Sequence, residues 1–241
     1  MKLEGCSNSG FSYTEKYKKT ILGFSEWINN QKSEMVISNS DLQQKMSEGG
    51  VSDPSEIRMI TPFLTKAGII DTNHCIKSST GTRTTGFRID PNFFTKEGQY
   101  FLQFLRIEML YGSIDNSEIR VQITKLMSLF GILQFKSLMK SEDQIYGDIY
   151  NFLERYSSYD KNEFFFVTHC RKNNMMNSLD EYVTKYRKKE ITHIEYANNV
   201  NCFQYITRQL IQLGIVTENG EHRYELTEIA QGALARNVYG E

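Results

Sequence analysis

The sequence predicts a mostly α-helical protein with small β-hairpins, in which two similar units are joined by a helical middle segment. Three observations predict this fold. A helix that ends at a glycine and runs straight into a strand occupies residues 53–70, and the same pattern returns at residues 201–216. A hairpin rich in Gly, Thr and Ser follows the first of these helices, at residues 71–90.

The first of these helices is predicted from its two ends. Asp53 can cap the N-terminus, Pro54 suits the first helical position, and Glu56 is placed to complete a capping box. Gly68 can supply the positive φ that ends a helix, and Ile69–Ile70 then begins a strand.

Pro62 lies inside this helix, where it removes the hydrogen bond to the Arg58 carbonyl. We therefore expect a kink at Pro62. The apolar positions Ile57, Ile60, Leu64 and Ala67 are spaced by three and four residues, which predicts that they form the buried face.

The elements around this helix complete a first domain, which we place at residues 12–111. An amphipathic helix is expected at 14–30, a short strand at 35–37, and a second helix capped by Ser40 with Gln43. Thr95 is the expected N-cap of a long helix after the hairpin. Residues 1–11 are expected to form a loose polar tail.

A second domain is expected at residues 178–241, because Ile60, Leu64 and Gly68 recur as Ile206, Leu210 and Gly214. Thr192 with Glu195 is expected to cap its second helix, and residues 178–189 to supply its first. Its hairpin turns at Asn219–Gly220, a type I′ signal.

The middle segment, residues 112–177, is predicted to be helical. Ser117–Arg120 resembles Ser55–Arg58, and Gly131–Ile132 follows at the spacing seen in the two units. A helical connector and a degenerate third unit both fit this pattern. The aromatic run at residues 164–166 is expected to be a buried strand or core segment.

The net charge of the 241 residues is −1, which excludes a wholly cationic nucleic-acid binder but not a local basic surface. Residues 72–96 carry four basic side chains against one acid, and residues 171–189 carry six against two. The absence of a long apolar run and of a signal-peptide pattern predicts a cytoplasmic protein that does not enter a membrane.

The four cysteines are far apart in sequence and form no CxxC pair, which predicts reduced, unlinked thiols. Two His-Cys pairs, His74–Cys75 and His169–Cys170, raise the question of a metal. Adjacent residues rarely supply two ligands to one ion, so the sequence predicts no metal site. No cofactor-binding or catalytic motif is present, so no catalytic residue is assigned.

The polar faces of the two repeated helices and their hairpins are the candidate DNA-binding surface. Arg, Gln, Asn, Ser and Thr can pair with base edges in the major groove, while basic residues on a hairpin can reach the backbone or the minor groove. The candidate residues are Ser55, Arg58, Thr61, Lys77, Arg83, Arg88, Asn201, Gln204, Thr207, Arg208 and Arg223.

The arrangement of residues 53–90 with 95–105, and again of 192–234, resembles the winged helix-turn-helix superfamily. Winged helices in tandem are also similar to the recognition domains of type IIS restriction endonucleases. This resemblance implies binding to double-stranded DNA, as a transcriptional regulator, as a DNA-recognition module, or as the specificity part of a restriction endonuclease or defence system. It carries over no catalytic residue. Winged helices also serve as protein-interaction scaffolds, for which a protein partner or a homo-oligomer is expected.

Overall fold

The computed structural model describes residues 1–7, 14–48, 56–81, 83–110, 114–141 and 144–235, without the side chains of Arg58 and Met59. The chain is mostly helical with small antiparallel sheets, which confirms the predicted fold class at that level. In the part of the chain described, no helix combines the length and the apolar character needed to cross a membrane.

Helices and short strands are interspersed along the described residues. The helices are α1 (Glu15–Asn29), α2 (Asn39–Glu48), α3 (Ile57–Lys66), α4 (Lys96–Leu110), α5 (Ser117–Met139), α6 (Ile145–Tyr156), α7 (Lys161–Lys172), α8 (Leu179–Arg187), α9 (Cys202–Gln212) and α10 (Glu228–Ala235). The strands are β1 (Lys2–Glu4), β2 (Met35–Ser38), β3 (Cys75–Lys77), β4 (Thr84–Ile89), β5 (Ser158–Tyr159), β6 (Glu195–Ala197), β7 (Val216–Glu218) and β8 (Tyr224–Leu226).

The chain divides into two compact units. The N-terminal unit is residues 11–130, and the C-terminal unit combines residues 1–10 with residues 131–241. The boundary falls inside α5. The expectation of a loose polar tail is wrong for residues 2–4, because β1 pairs in parallel with β6 and Leu3 is completely buried. The apolar side chain of Leu3 drives this docking.

The N-terminal unit is built on a three-stranded sheet in the order β2-β4-β3, in which both neighbours of β4 run antiparallel to it. Phe87 on β4 packs against Phe93, and Phe93 in turn meets Phe24 of α1 edge-to-face at 5.8 Å between ring centroids. The predicted apolar face of α3 is confirmed, since Ile57, Ile60, Leu64 and Ala67 are all buried.

One helix start in this unit differs from its prediction. The α2 helix is capped by Ser38, whose Oγ accepts from the Asp41 amide at 3.1 Å, and not by Ser40, which lies inside the helix. Thr95 caps α4 as predicted, with its hydroxyl accepting from the Gly98 amide at 2.9 Å. The proposed caps Asp53 and Pro54 lie outside the described residues.

The α3 helix ends in a set of contacts that we call the glycine–threonine clasp. Gly68 has φ 70°, and the Thr95 hydroxyl donates to its carbonyl at 2.5 Å. The Thr95 amide donates to Ile69 O at 3.0 Å, and the Ile69 amide donates back to Leu64 O at 2.8 Å. The clasp therefore holds the end of α3, the extended residues Ile69–Ile70 and the start of α4 together, although Ile70 forms only an isolated bridge with Phe94 and not the start of a strand.

The C-terminal unit repeats this clasp with its own residues. Gly214 has φ 68°, and its carbonyl accepts from the Thr227 hydroxyl at 2.7 Å. The Thr227 amide donates to Ile215 O at 3.0 Å, and the Ile215 amide donates to Leu210 O at 2.9 Å. The repeat that the sequence predicts around Gly68 and Gly214 is thus present in atomic detail.

The C-terminal unit also repeats the order of elements, although not with the predicted partners. Its sheet has the order β5-β8-β7, which corresponds to β2-β4-β3 in the N-terminal unit. The order of elements in the N-terminal unit is α1, β2, α2, α3, β3, β4 and α4. The corresponding elements in the C-terminal unit are, in the same order, α6, β5, α7, α9, β7, β8 and α10. The first helix is α6, whereas α8, expected in that role, is an insertion between α7 and α9 together with β6.

One local prediction for this half is wrong, and two alternatives that the sequence left open are decided. Thr192 and Glu195 do not cap a helix, because Glu195 begins the strand β6. The aromatic run at residues 164–166 is a core segment, as one of its two predicted alternatives states, and it belongs to the helix α7, which an Asp160–Glu163 capping box starts. Gly131 lies inside α5 and does not end it; a Cβ there would come 1.9 Å from Leu213 O. The glycine serves close packing, so α5 is a helical connector.

Pro62 is exposed inside α3, at the position that Arg208 occupies in α9. We expect Pro62→Ala to raise the free energy of unfolding by about 2 kcal/mol, because it restores a donor for the Arg58 carbonyl. Chemical denaturation of the isolated protein measures this. Arg208→Ala is the matched control and should change stability by less than about 0.5 kcal/mol. A destabilised Pro62→Ala variant would contradict the expectation.

Candidate nucleic-acid interface

The basic cluster of residues 171–189 is largely neutralised by internal ion pairs. Four of its six basic side chains contact carboxylates, which leaves little free positive charge on this segment. The pairs are Arg171 with Asp148, Lys172 with Glu4 at 3.2 Å, Lys185 with Glu181 at 2.5 Å, and Arg187 with Glu163 at 2.6 Å. Most of the positive charge of this cluster therefore serves ion pairs within the C-terminal unit.

The basic cluster of residues 72–96 has the opposite character. Lys77, Arg83 and Arg88 are exposed, and their side chains form no hydrogen bond or ion pair with any residue that the structure describes. The one acid of the segment, Asp90, is held by His74 Nε2 at 2.9 Å. The β3–β4 hairpin therefore carries a net positive charge, which Asp90 offsets only in part, through its electrostatic interaction with Arg88.

The Asp90 carboxylate is stabilised in its charged form by hydrogen bonds within the N-terminal unit. Desolvation acts to raise the pKa of Asp90, but hydrogen bonds from the Asn92 amide and His74 outweigh it and leave the pKa below its usual value. Asp90 therefore stays ionised and engaged with the buried His74. The positive charge of Arg88 also lowers the pKa of Asp90, so Asp90 offsets part of the charge of this one hairpin cation.

The tip of the hairpin is held by its own backbone. The Ser78 amide donates to Arg83 O at 2.7 Å, and the Gly81 amide donates to Ser78 O at 2.8 Å. Arg88 lies further along β4, opposite Val36, whose side chain is 70% exposed. The three cations are thus distributed along the hairpin, with Arg83 beside the tip, Lys77 on β3 and Arg88 on β4.

The α3 helix supplies less of the predicted surface. Ser55 and the Arg58 side chain lie outside the described part of the structure. The prediction that Thr61 faces outward is wrong: it is 5% exposed and its hydroxyl donates to Ile57 O at 2.9 Å. A threonine can be buried in this way because the helix carbonyl satisfies its only donor.

The α9 helix exposes most of its predicted face. Asn201, Gln204 and Arg208 are exposed, and no described residue forms a hydrogen bond or ion pair with their side chains. Thr207 is an exception and a correction: it is 3% exposed, with its hydroxyl 3.3 Å from the Tyr159 hydroxyl. Both threonines of the repeat are therefore core positions.

Tyr205 is a member of this exposed face that the sequence prediction missed. Its side chain is 40% exposed and lies on α9 between Asn201 and Arg208. Positions 201, 204, 205 and 208 are spaced by three and four residues, so helical spacing alone would have found it. An exposed aromatic ring beside amide and guanidinium groups can pack against a base or sugar.

Arg223, predicted as a DNA-binding residue, has its side chain engaged inside the C-terminal unit. Its guanidinium donates to the Glu163 carboxylate, to Ser158 O at 3.1 Å and, through Nε, to Ser158 Oγ at 2.9 Å, with Asp160 Oδ2 at 3.5 Å. The Glu163 side chain is completely buried and is also held by Arg187. Arg223 is thus one of two cations that compensate a buried carboxylate.

The comparisons with known proteins give no relative for this arrangement. The chain matches no family model, no curated protein and no solved structure. Among the residues that the structure describes, no group of three or more His, Cys, Asp or Glu side chains could hold a metal ion. The interface must therefore be interpreted from its own geometry and charge.

Arg223 and Arg88 provide a matched pair that separates a structural from a surface role. We expect Arg223→Ala to lower the free energy of unfolding by about 3 kcal/mol, because the buried Glu163 loses one of its two cations. Arg88→Ala removes the same charge from an exposed side chain and should change stability by less than about 0.5 kcal/mol. Urea titration followed by circular dichroism measures both. Equal stability of the two variants would overturn the assignment of Arg223.

Proposed function

We propose that the chain binds duplex DNA through two winged-helix units, with the β3–β4 hairpin acting as the basic wing. The observation that carries this proposal is the net positive charge of the hairpin, where Lys77, Arg83 and Arg88 are exposed and only Arg88 interacts with an acid, Asp90. In a chain of net charge −1, three exposed cations on one hairpin favour a polyanionic ligand.

The order of elements supports the same proposal. Each unit has a helix, a strand, two further helices and a hairpin, with the first strand added to the edge of that hairpin. In a winged helix, the helix before the hairpin enters the major groove and the hairpin contacts the adjacent backbone or minor groove. The corresponding helices here are α3 and α9.

The two units contribute different contacts. The N-terminal unit offers mainly cations, which bind phosphates and position a protein without reading sequence. The α9 helix offers Gln204, Arg208 and Asn201, which can pair with adenine or guanine edges. Backbone anchoring by the first unit and base recognition by the second would give sequence-specific binding, as in a transcriptional regulator or the specificity part of a restriction or defence system.

Replacing Lys77, Arg83 and Arg88 by Ala should weaken duplex binding by about 2–3 kcal/mol and reduce the slope of log K against log salt by about 3. The reason is that the variant neutralises fewer phosphates, so its binding releases fewer counterions from the DNA. Fluorescence anisotropy with a random-sequence duplex, repeated over a salt series, measures both quantities.

The control for this variant carries the same loss of charge elsewhere. Lys32, Lys140 and Lys188 are exposed and lie outside the hairpin, so their triple Ala variant should keep the wild-type salt slope within about 1. If the two triple variants bound DNA equally well, the hairpin would not be the interface. Selection of bound sequences from a random duplex pool then tests whether α9 recognises a site.

One observation favours a second function, a protein-interaction scaffold. The helix α5 exposes a row of apolar side chains. Positions 119, 122, 126, 129 and 133 are separated by alternating steps of three and four residues, the spacing of a coiled-coil seam, and Gln122 is the polar member of the row. The row is Ile119, Leu126, Leu129 and Leu133, each between 44% and 54% exposed. A second copy of this helix supplies matching positions, so self-association is the form of this function that the row supports.

Leu126→Lys with Leu129→Lys should abolish such self-association, because each places a charge in the seam. Light scattering after gel filtration should give the 28.1 kDa monomer for the variant and a larger mass for the wild type at micromolar concentration. Ile107→Lys, on the half-exposed face of α4, is the control and should leave the wild-type mass unchanged. A monomeric wild type would refute the scaffold function.

A further inference from the structure

Two cysteines that are far apart in sequence meet in the C-terminal unit. The pairing of β1 with β6 continues past the strands, where the Gly5 amide donates to Asn198 O at 3.1 Å. A Cβ on Gly5 would lie 2.7 Å from Cys202 Sγ and 2.3 Å from Asn199 O. The backbone at residue 5 therefore runs directly against the sulfur of Cys202, and glycine is required there.

The next residue brings a second thiol to the same place. The Cys6 thiol is hydrogen-bonded to Cys202 Sγ, and the backbone amides of Cys6 and Phe203 donate to the same sulfur, whereas the Cys202 amide donates to Asn199 O at 3.0 Å. Cys202 is the first residue of α9, so these amides include those at a helix N-terminus. Such donors stabilise a thiolate more than a thiol.

The ionisation of Cys202 follows from these contacts. The hydrogen bond from Cys6 lowers the pKa of the Cys202 thiol, and it outweighs the burial that acts to raise it. Cys170 is the contrast within the same unit, because burial alone raises its pKa to about 11. One buried cysteine is thus prepared for thiolate chemistry and the other is not.

We propose that Cys6 and Cys202 form a redox-active pair that closes to an intramolecular disulfide on exposure to a hydroperoxide. Cys6 is the half-buried member and Cys202 is 1% exposed, so the two sulfurs have different access to solvent. Cys6 therefore takes the role of the peroxidatic thiol and Cys202 that of the resolving thiol.

The chemistry balances in two steps. The Cys202 thiolate takes the proton of the Cys6 thiol that is hydrogen-bonded to it. The resulting Cys6 thiolate attacks one oxygen of hydrogen peroxide, the O–O bond breaks, and hydroxide leaves and is protonated to water by solvent, which gives a Cys6 sulfenic acid. The Cys202 sulfur then attacks the sulfenic sulfur, the S–O bond breaks, and the leaving hydroxide takes the Cys202 proton to form a second water. Two thiols are oxidised to one disulfide and one peroxide is reduced to two waters.

The position of the pair connects it to the proposed DNA contacts of α9. Asn201 precedes Cys202, and Gln204 follows one residue after Phe203. A disulfide would tie the first residues of the chain covalently to the start of α9 and move the amides that now face Cys202 Sγ. The effect on DNA rests on the proposed function, whereas the disulfide does not.

Peroxide oxidation followed by N-ethylmaleimide trapping and non-reducing peptide mass spectrometry tests the pair directly. We expect a cross-linked pair of peptides containing Cys6 and Cys202, with Cys170 modified more than about tenfold more slowly. Cys6→Ser and Cys202→Ser should each abolish the cross-link, while a Cys75→Ser, Cys170→Ser double variant should keep it. Circular dichroism confirms that each variant is folded.

Three outcomes would overturn the proposal: both thiols remaining free, Cys6 over-oxidised without a cross-link, or cross-links that involve Cys75 or a second molecule. Duplex binding is then measured on the reduced and the cross-linked protein. We expect at least about a fivefold difference in affinity between them. Absence of binding in both forms would refute DNA binding while leaving the mapped disulfide intact, so the two failures are distinguishable.

Discussion

The hydrogen bond from a threonine hydroxyl to the carbonyl of a left-handed glycine is the interaction on which both units depend. Thr95 and Gly68 form it in one unit, and Thr227 and Gly214 form it in the other. Only glycine takes this φ without strain, and only a hydroxyl can donate to the carbonyl while accepting from the next helix. One side chain therefore ends a helix, fixes the base of a hairpin and starts a further helix.

Charge is distributed unequally over this repeated framework. In the C-terminal unit, cations are used to compensate carboxylates, above all the buried Glu163 with Arg187 and Arg223. In the N-terminal unit, the hairpin cations have no such partners among the described residues. A near-neutral chain can therefore present a basic surface, because paired charges cancel locally and exposed unpaired ones do not.

Local signals in the sequence predicted the helical class, the apolar face of α3, both glycine helix ends and the repeat around them. They failed where the answer depended on distant residues. Thr207 appears polar and available, but Tyr159 is its neighbour only in the fold. Arg223 appears to be a hairpin cation until Glu163 is placed beside it. Cys6 and Cys202 show no motif, because their proximity comes from the parallel pairing of β1 with β6.

The pairing of β1 with β6 also sets an order for synthesis. Residues 1–10 belong to a unit whose other residues begin only at 131, and the partner strand of β1 ends at Ala197. Residues 2–4 are therefore made before their partner strand and wait without it while the N-terminal unit is synthesised. That unit is continuous in sequence and can fold first. The strand β1 is among the last elements of its unit to find its place.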